Sequence, residues 1–235
     1  MDNSITVVTS TNREYMLDRV IENFTRQTVQ EKELIIILNK NEMKRENVVA
    51  LPNISVFQLD EEKTLGEGLK FGFSQARYEV VAKFDDDDYY SPDYLTHAIQ
   101  MLQETGADVV GKAGIFVYIK KDRLLTTFRP RMHSIFLKNN RVFLAGGTLV
   151  FKKDVLEKVQ FQALNNGEDV QFQKDCLSQK LSLYSGSLND YVLIRYQENH
   201  HHSWQVLDEI FQKHCKQIAV TDAFEEYVWE GGGSR

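Results

Sequence analysis

Asp85-Asp86-Asp87-Asp88-Tyr89-Tyr90, preceded by Val80-Val81-Ala82-Lys83-Phe84, is the stretch whose reading decides the fold. Four consecutive carboxylates repel one another, and seating them at the end of a buried strand is costly without a counter-charge. A divalent cation supplies one, because hard ions such as Mg²⁺ or Mn²⁺ prefer carboxylate oxygens. Ser91-Pro92 follows at once, and serine caps helices while proline suits their first turn. The acids therefore read as the loop between a strand's C-terminal end and a helix, where open α/β sheets place ligands. The plainer alternative is an exposed acidic turn, since most charge runs are solvated surface. The apolar strand before the run and Ser91-Pro92 after it argue against that alternative.

Upstream, residues 4–9 are short and β-branched and read as a first strand. From Arg13 the positions Met16, Leu17, Val20, Ile21 and Phe24 fall on one helical face. Residues 33–38 are apolar after the first, as in a strand covered on both faces, and end at Asn39. Residues 54–59 make a third strand ending at Asp60, residues 66–76 a glycine-interrupted helix, and residues 79–84 the fourth strand. This order predicts a mostly parallel sheet with right-handed crossovers. Thr9 with Asn12 and Arg13, then Asn39, Asp60 and the acid run would converge on one crevice that suits a nucleotide. No Gly-x-Gly-x-x-Gly opens the first helix, which disfavours a dinucleotide site.

Downstream, residues 93–104 read as a helix and 108–119 as two strand-like runs. Residues 126–141 read as basic and irregular, with the loop over 129–141 either a lid over a diphosphate or solvated surface. Gly146-Gly147-Thr148 forms a tight turn feeding a strand, and residues 168–177 a helix opened by Glu168-Asp169. Strands at 181–184 and 191–196 precede His200-His201-His202 and a final helix over about 204–218.

Over 235 residues, 42% hydrophobic content is ample for a packed core. A net charge of −6 disfavours a general nucleic-acid or anionic-membrane binder. Cys176 and Cys215 form no disulfide framework and suit a reducing compartment. Cys215 beside His214 reads as structural rather than as a nucleophile, because helix neighbours face different ways. No signal segment opens the chain, and the longest aliphatic run is too short for a bilayer. A cytoplasmic protein is the expectation.

Taken together, Thr9-Ser10-Thr11-Asn12-Arg13, the strand ending at Asn39 and Phe84-Asp85-Asp86-Asp87-Asp88-Tyr89-Tyr90-Ser91-Pro92 resemble an inverting family 2 glycosyltransferase of the GT-A fold. Leu65-Gly66-Glu67-Gly68-Leu69-Lys70, Gly147-Thr148 and Gly167-Glu168-Asp169 fit further elements in order. The resemblance implies one GT-A-like α/β domain over residues 1–230, with a mostly parallel central sheet flanked by helices. Its nucleotide-sugar-binding half would reach about residue 110 and its acceptor half would span 111–230. Residues 231–235 would be a flexible tail or a linker to another domain.

The same resemblance assigns roles. Asp87 would ligate Mn²⁺ or Mg²⁺ on the donor's diphosphate, and Asp85 would hold the ribose or the metal's waters. Within the run Asp86 is expected to be the most solvated, while Asp88 is either an acceptor-side contact or a helix-leading charge. His200 or His202 would add a metal ligand, the alternative being a polar loop. Thr9, Asn12, Arg13, Asn39, Asp60, Lys70, Asp85 and Asp86 are the donor-contact candidates. Asp169, or its neighbour Glu168, would be the single general base that deprotonates a hydroxyl acceptor. A UDP-sugar is the first donor expectation, but Asn39 stands where many relatives carry aspartate, which leaves the base open. Two other functions fit less well. A nucleotidyltransferase would need a phosphate-cradling glycine-rich loop after the first strand, and a catalytically silent nucleotide-sugar-binding scaffold would need no base.

Overall fold

The computed structural model describes residues 3–45, 48, 51–196 and 215–229. Strands β1 (Ser4–Thr11), β2 (Glu31–Leu38), β3 (Ile54–Gln58) and β4 (Val80–Lys83) run parallel in the order β3-β2-β1-β4. Helices α1 (Leu17–Thr25) and α2 (Leu65–Ser74) lie on opposite faces. Leu34, Ile36 and Leu38 pack with Leu17, Val20 and Phe24, whereas Ile35 and Ile37 pack with Leu69 and Phe73. A strand covered on both faces has no solvent side to alternate toward, so β2 is apolar at every position from 34 to 38. Glycine lets α2 approach the sheet, since a Cβ on Gly72 would meet Val8 Cγ1 at 2.5 Å.

The chain continues through β5 (Tyr89–Tyr90), α3 (Tyr94–Thr105), β6 (Val109–Gly111), β7 (Ile115–Ile119), β8 (Leu124–Phe128) and β9 (Ile135–Leu137). Then come β10 (Val150–Lys152), α4 (Val155–Lys158), α5 (Glu168–Ser178), β11 (Leu183–Ser185), β12 (Tyr191–Arg195), β13 (Cys215–Val220) and a last helical turn, Glu225–Val228. Strand β10 inserts antiparallel between β4 and β6, and β11 and β9 complete an eight-stranded sheet. A second sheet of five strands, β13-β8-β7-β12-β5, packs on Phe224 and Val228 through Tyr89, Tyr118 and Ile194. The α/β class and the parallel N-terminal half are those the sequence predicts.

Four local expectations are corrected. Residues 126–141 are not wholly irregular: β8 pairs with β7 and β13, and β9 pairs with β11. The expected helix over 204–218 gives way to strand β13 from Cys215 on, its earlier part lying outside the described residues. Ser91 does not cap α3; its Oγ donates to Asp190 Oδ1 at 2.7 Å, and the helix begins only at Tyr94. Strand β1 runs on to Thr11, so Thr9 lies inside it, fully buried. Among the described residues no helix is long and apolar enough to cross a membrane.

Candidate active site

The acid loop is clamped from three sides. The Phe84 N–H donates to Val8 O at 3.0 Å, continuing the β4–β1 ladder one residue past the strand. The Tyr90 ring stacks on Phe84 with centroids 3.7 Å apart. Its hydroxyl donates to Gly147 O and accepts the Asp85 N–H, each at 2.8 Å. From α1, Asn23 Nδ2 donates to Asp88 O at 2.9 Å, and its Oδ1 accepts the Tyr90 N–H at 3.3 Å. The loop is thereby fixed to β4, α1 and the helical turn Gly146–Thr148.

Within this frame the four aspartates alternate. Asp86 accepts from Thr11 Oγ1, from Arg13 Nε at 3.0 Å and from Arg13 Nη2. Asp88 accepts the Tyr191 hydroxyl at 2.5 Å and the Ile194 N–H at 3.2 Å. Burial, with the charges of Asp87 and Asp85, pushes the Asp88 carboxyl well above the usual aspartate range. Asp85 and Asp87 keep the greater exposure, 35% and 13% of their side chains, against 5% for Asp86. The expectation that Asp86 is the solvated member is thus overturned, because Arg13 and Thr11 reach it from β1's end. Asp88 is an internal anchor for β12, neither an acceptor contact nor a helix-leading charge.

The second acid pair opens α5 after Gly167, whose φ of 75° suits glycine. Glu168 is buried, with Oε1 3.9 Å from Lys83 Nζ, and Lys83 also ion-pairs with Asp85. Burial pulls the Lys83 ammonium down, but the charges of Asp85, Glu168 and Asp169 outweigh it and hold it above its usual value. Burial raises the Glu168 and Asp169 carboxyls above the ordinary range, with Lys83 acting against it in both. Asp169 is the more exposed of the two and lies against Gly146, while Asp85 lies against Gly147. A Cβ on Gly147 would stand 2.8 Å from Asp85 Oδ2 and 2.9 Å from the Tyr90 hydroxyl. The Gly146-Gly147 pair is therefore a bare floor against which the Asp169 and Asp85 carboxylates both come to lie.

The other candidates divide. Asn39 ties the strand ends together: its N–H donates to Thr11 O and its Nδ2 to Asp60 O, both at 2.8 Å. Asp60 is exposed and its Oδ1 accepts the Glu62 N–H at 2.9 Å. Asn12 is exposed just past β1, at this same edge. Thr9 is sealed inside β1 and Lys70 stands exposed on α2, while Gly66, Gly68, Leu69 and Gly72 take its buried face. Thr9 is thereby closed to a donor, contrary to its sequence reading, whereas Lys70 is left open to solvent. His200 and His202 lie outside the described residues. Among the described residues no three His, Cys, Asp or Glu side chains form a cluster fit to hold a metal ion.

The sequence reading missed Lys83 and the two tyrosines Tyr90 and Tyr191 as parts of the site. A lysine in an otherwise apolar strand just before an acid run was the available signal. The partners of the tyrosines, Gly147 and Asp88, lie 57 and 103 residues away in sequence and leave no local pattern.

Among solved structures, residues 1–349 of S. aureus TarS in complex with UDP-GlcNAc superpose with a TM-score of 0.66 at 18% identity, covering 87% of this chain. The same TarS fragment in complex with UDP gives 0.63 at 19%, covering 83%, and the longer S. aureus TarS structure gives 0.63 at 18%, also covering 83%. The chain spans 61% and 62% of the two liganded fragments and 37% of the longer structure. The shared architecture is the GT-A fold. Residues 5–164, which hold β1 to β4, the acid run and the double glycine, match Glycosyl transferase family 2, and the chain belongs to that family.

Proposed function

We propose that the protein transfers a glycosyl unit from a nucleotide-sugar, a UDP-sugar in the first instance, to a hydroxyl acceptor with inversion at the anomeric carbon. The observation that carries this reading is the approach of Asp169 to Gly146 and of Asp85 to the adjacent Gly147. On this reading Asp85 would be the carboxylate of the nucleotide edge and Asp169 the carboxylate that takes a proton. The structures of TarS with UDP-GlcNAc and with UDP support a uridine donor.

Asp87 would hold a divalent cation, and the donor set fits a hard ion: a carboxylate oxygen beside partly exposed Asp85. Lacking a third protein ligand among the described residues, such an ion would complete its shell from phosphate oxygens and water. When bound it would offset the charge that builds on the leaving nucleoside diphosphate. Arg13 orients the loop by holding Asp86 and contacting Asp87 Oδ2 at 3.0 Å. Asp85 and Asn39 would meet the nucleoside at the strand ends. Asp169 would take the proton of the acceptor hydroxyl as that oxygen attacks, and the α5 N-terminus favours its anionic form. A single displacement inverts the anomeric centre, and only this one base is needed.

The test is a thermal-shift series against UDP-, GDP-, CDP- and dTDP-sugars, each with and without Mn²⁺, followed by assay of released nucleotide. Stabilisation that requires both Mn²⁺ and a UDP-sugar, and UDP release, are expected. No metal-dependent shift with any nucleotide-sugar would remove the donor site. Pyrophosphate release from a nucleoside triphosphate would make the protein a nucleotidyltransferase. Binding without turnover, unchanged in Asp169→Asn, would make it a silent scaffold.

A further inference from the structure

Lys83 closes β4 with 3% of its surface exposed. Its N–H donates to Leu149 O at 2.9 Å, which fixes it against the strand that follows the double glycine. Its ammonium meets Asp85 on the nucleotide edge and stands 3.9 Å from Glu168 Oε1 on α5. A cation is costly to bury and is retained only where opposite charges surround it. Here those charges come from two elements, Asp85 after β4 and Glu168-Asp169 at the start of α5. We propose that Lys83 is a positioning residue for the transfer: a built-in cation that ties Asp85 to Glu168 and so locks the donor and acceptor halves of the site in register.

Two consequences follow, and both rest on the proposed transferase reading. With Lys83 in place, Asp85 and Glu168 are held apart from free rotation, so Asp169 meets the acceptor from a fixed helix end. Among the described residues the charged groups that act most on Asp169 are Lys83 from β4, Asp85 from the acid loop and Glu168 from its own helix. Lys83 is the sole cation of this set, so it opposes the uptake of a proton by Asp169. Removing the cation leaves three carboxylates facing one another, and the base then binds a proton to higher pH. Lys83 itself touches neither donor nor acceptor in this account.

The experiment compares the wild type with Lys83→Met and Lys83→Arg. It reads the pH profile of kcat/KM for nucleotide release, the affinity for UDP, and the ¹³C titration of the Asp169 carboxyl. In Lys83→Met, kcat is expected to fall by about 10²-fold, with UDP affinity changed less than about threefold. The acid limb and the Asp169 titration are expected to move up by about one pH unit or more. Lys83→Arg, which keeps the charge, is expected to restore both toward the wild-type pH. Lys83→Gln serves as the neutral variant if the methionine form does not fold. An unmoved limb and titration, with activity lost only in step with Tm, would overturn the proposal. If the wild type turns over no nucleotide-sugar while the Asp169 titration still moves, the transferase reading fails and the Lys83 contact stands.

Discussion

Asp86 and Asp88 are the same residue as Asp85 and Asp87, yet they do opposite work. The first two are consumed by the protein: Arg13 and Thr11 hold Asp86, while Tyr191 and the Ile194 N–H hold Asp88. The other two keep the exposure, 35% for Asp85 and 13% for Asp87. The Glu168-Asp169 pair splits the same way, Glu168 buried on Lys83 and Asp169 more open beside Gly146. In each pair, one acid anchors the loop so that its neighbour can be presented. A run of carboxylates is thus a scaffold and a site interleaved, and the two sets fail differently when mutated.

The largest expected effect is on the presented side. Asp169→Asn is expected to lower the transfer rate by about 10³-fold, roughly 4 kcal/mol in the barrier, with Tm and UDP binding unchanged. Burial raises the Asp169 carboxyl, and the proposed base would act only when deprotonated, so kcat/KM is expected to climb with pH through that raised value. The acid limb should lie above the ordinary aspartate range and be absent from the residual activity of Asp169→Asn. A variant that retained the limb would move the base to another residue.

On the anchoring side, Asp88→Ala leaves the buried Tyr191 hydroxyl and Ile194 N–H without their acceptor. The expected cost is about 3 kcal/mol of stability, a fall in Tm of roughly 6–12 °C for a chain of this size. Thermal unfolding checks it, and an unchanged Tm would break the contrast between the two sets. The smallest effect tests the floor between them. Gly147→Ala puts a methyl group against Asp85 Oδ2 and the Tyr90 hydroxyl. A rate loss on the order of 10- to 100-fold is expected as Asp85 is displaced, with less loss of stability than Asp88→Ala causes. Equal rates for Gly147→Ala and wild type would show that the floor does not set the position of Asp85.

How much of this was legible from the sequence follows the range of the interactions. Strands β1, β2 and β4 announce themselves as apolar runs because both faces of the sheet are covered. Four adjacent carboxylates announce a site because their repulsion demands an answer. Which carboxylate faces which way is set by Arg13, 73 residues upstream of Asp86, and by Tyr191, 103 residues beyond Asp88. No window of sequence holds that information. Strand β8 was hidden because the arginines after it give the segment a basic character, whereas Leu125, Thr126 and Thr127 are buried. Strand β13 takes its form from pairing with β8, with a register shift between Gln217 and Ala219, rather than from any local alternation. Ser91 reads as a helix cap in isolation, but Asp190 competes for its hydroxyl and wins.

The division within the acid run is tested most directly by titrating UDP, with and without Mn²⁺, into the wild type, Asp87→Asn and Asp86→Asn by calorimetry. Asp87→Asn is expected to lose the Mn²⁺-dependent part of the affinity, at least about tenfold, with its Tm unchanged. Asp86→Asn is expected to keep that part and to lose stability instead. Metal-dependent binding that survives in Asp87→Asn, or disappears in Asp86→Asn at an unchanged Tm, would contradict the account.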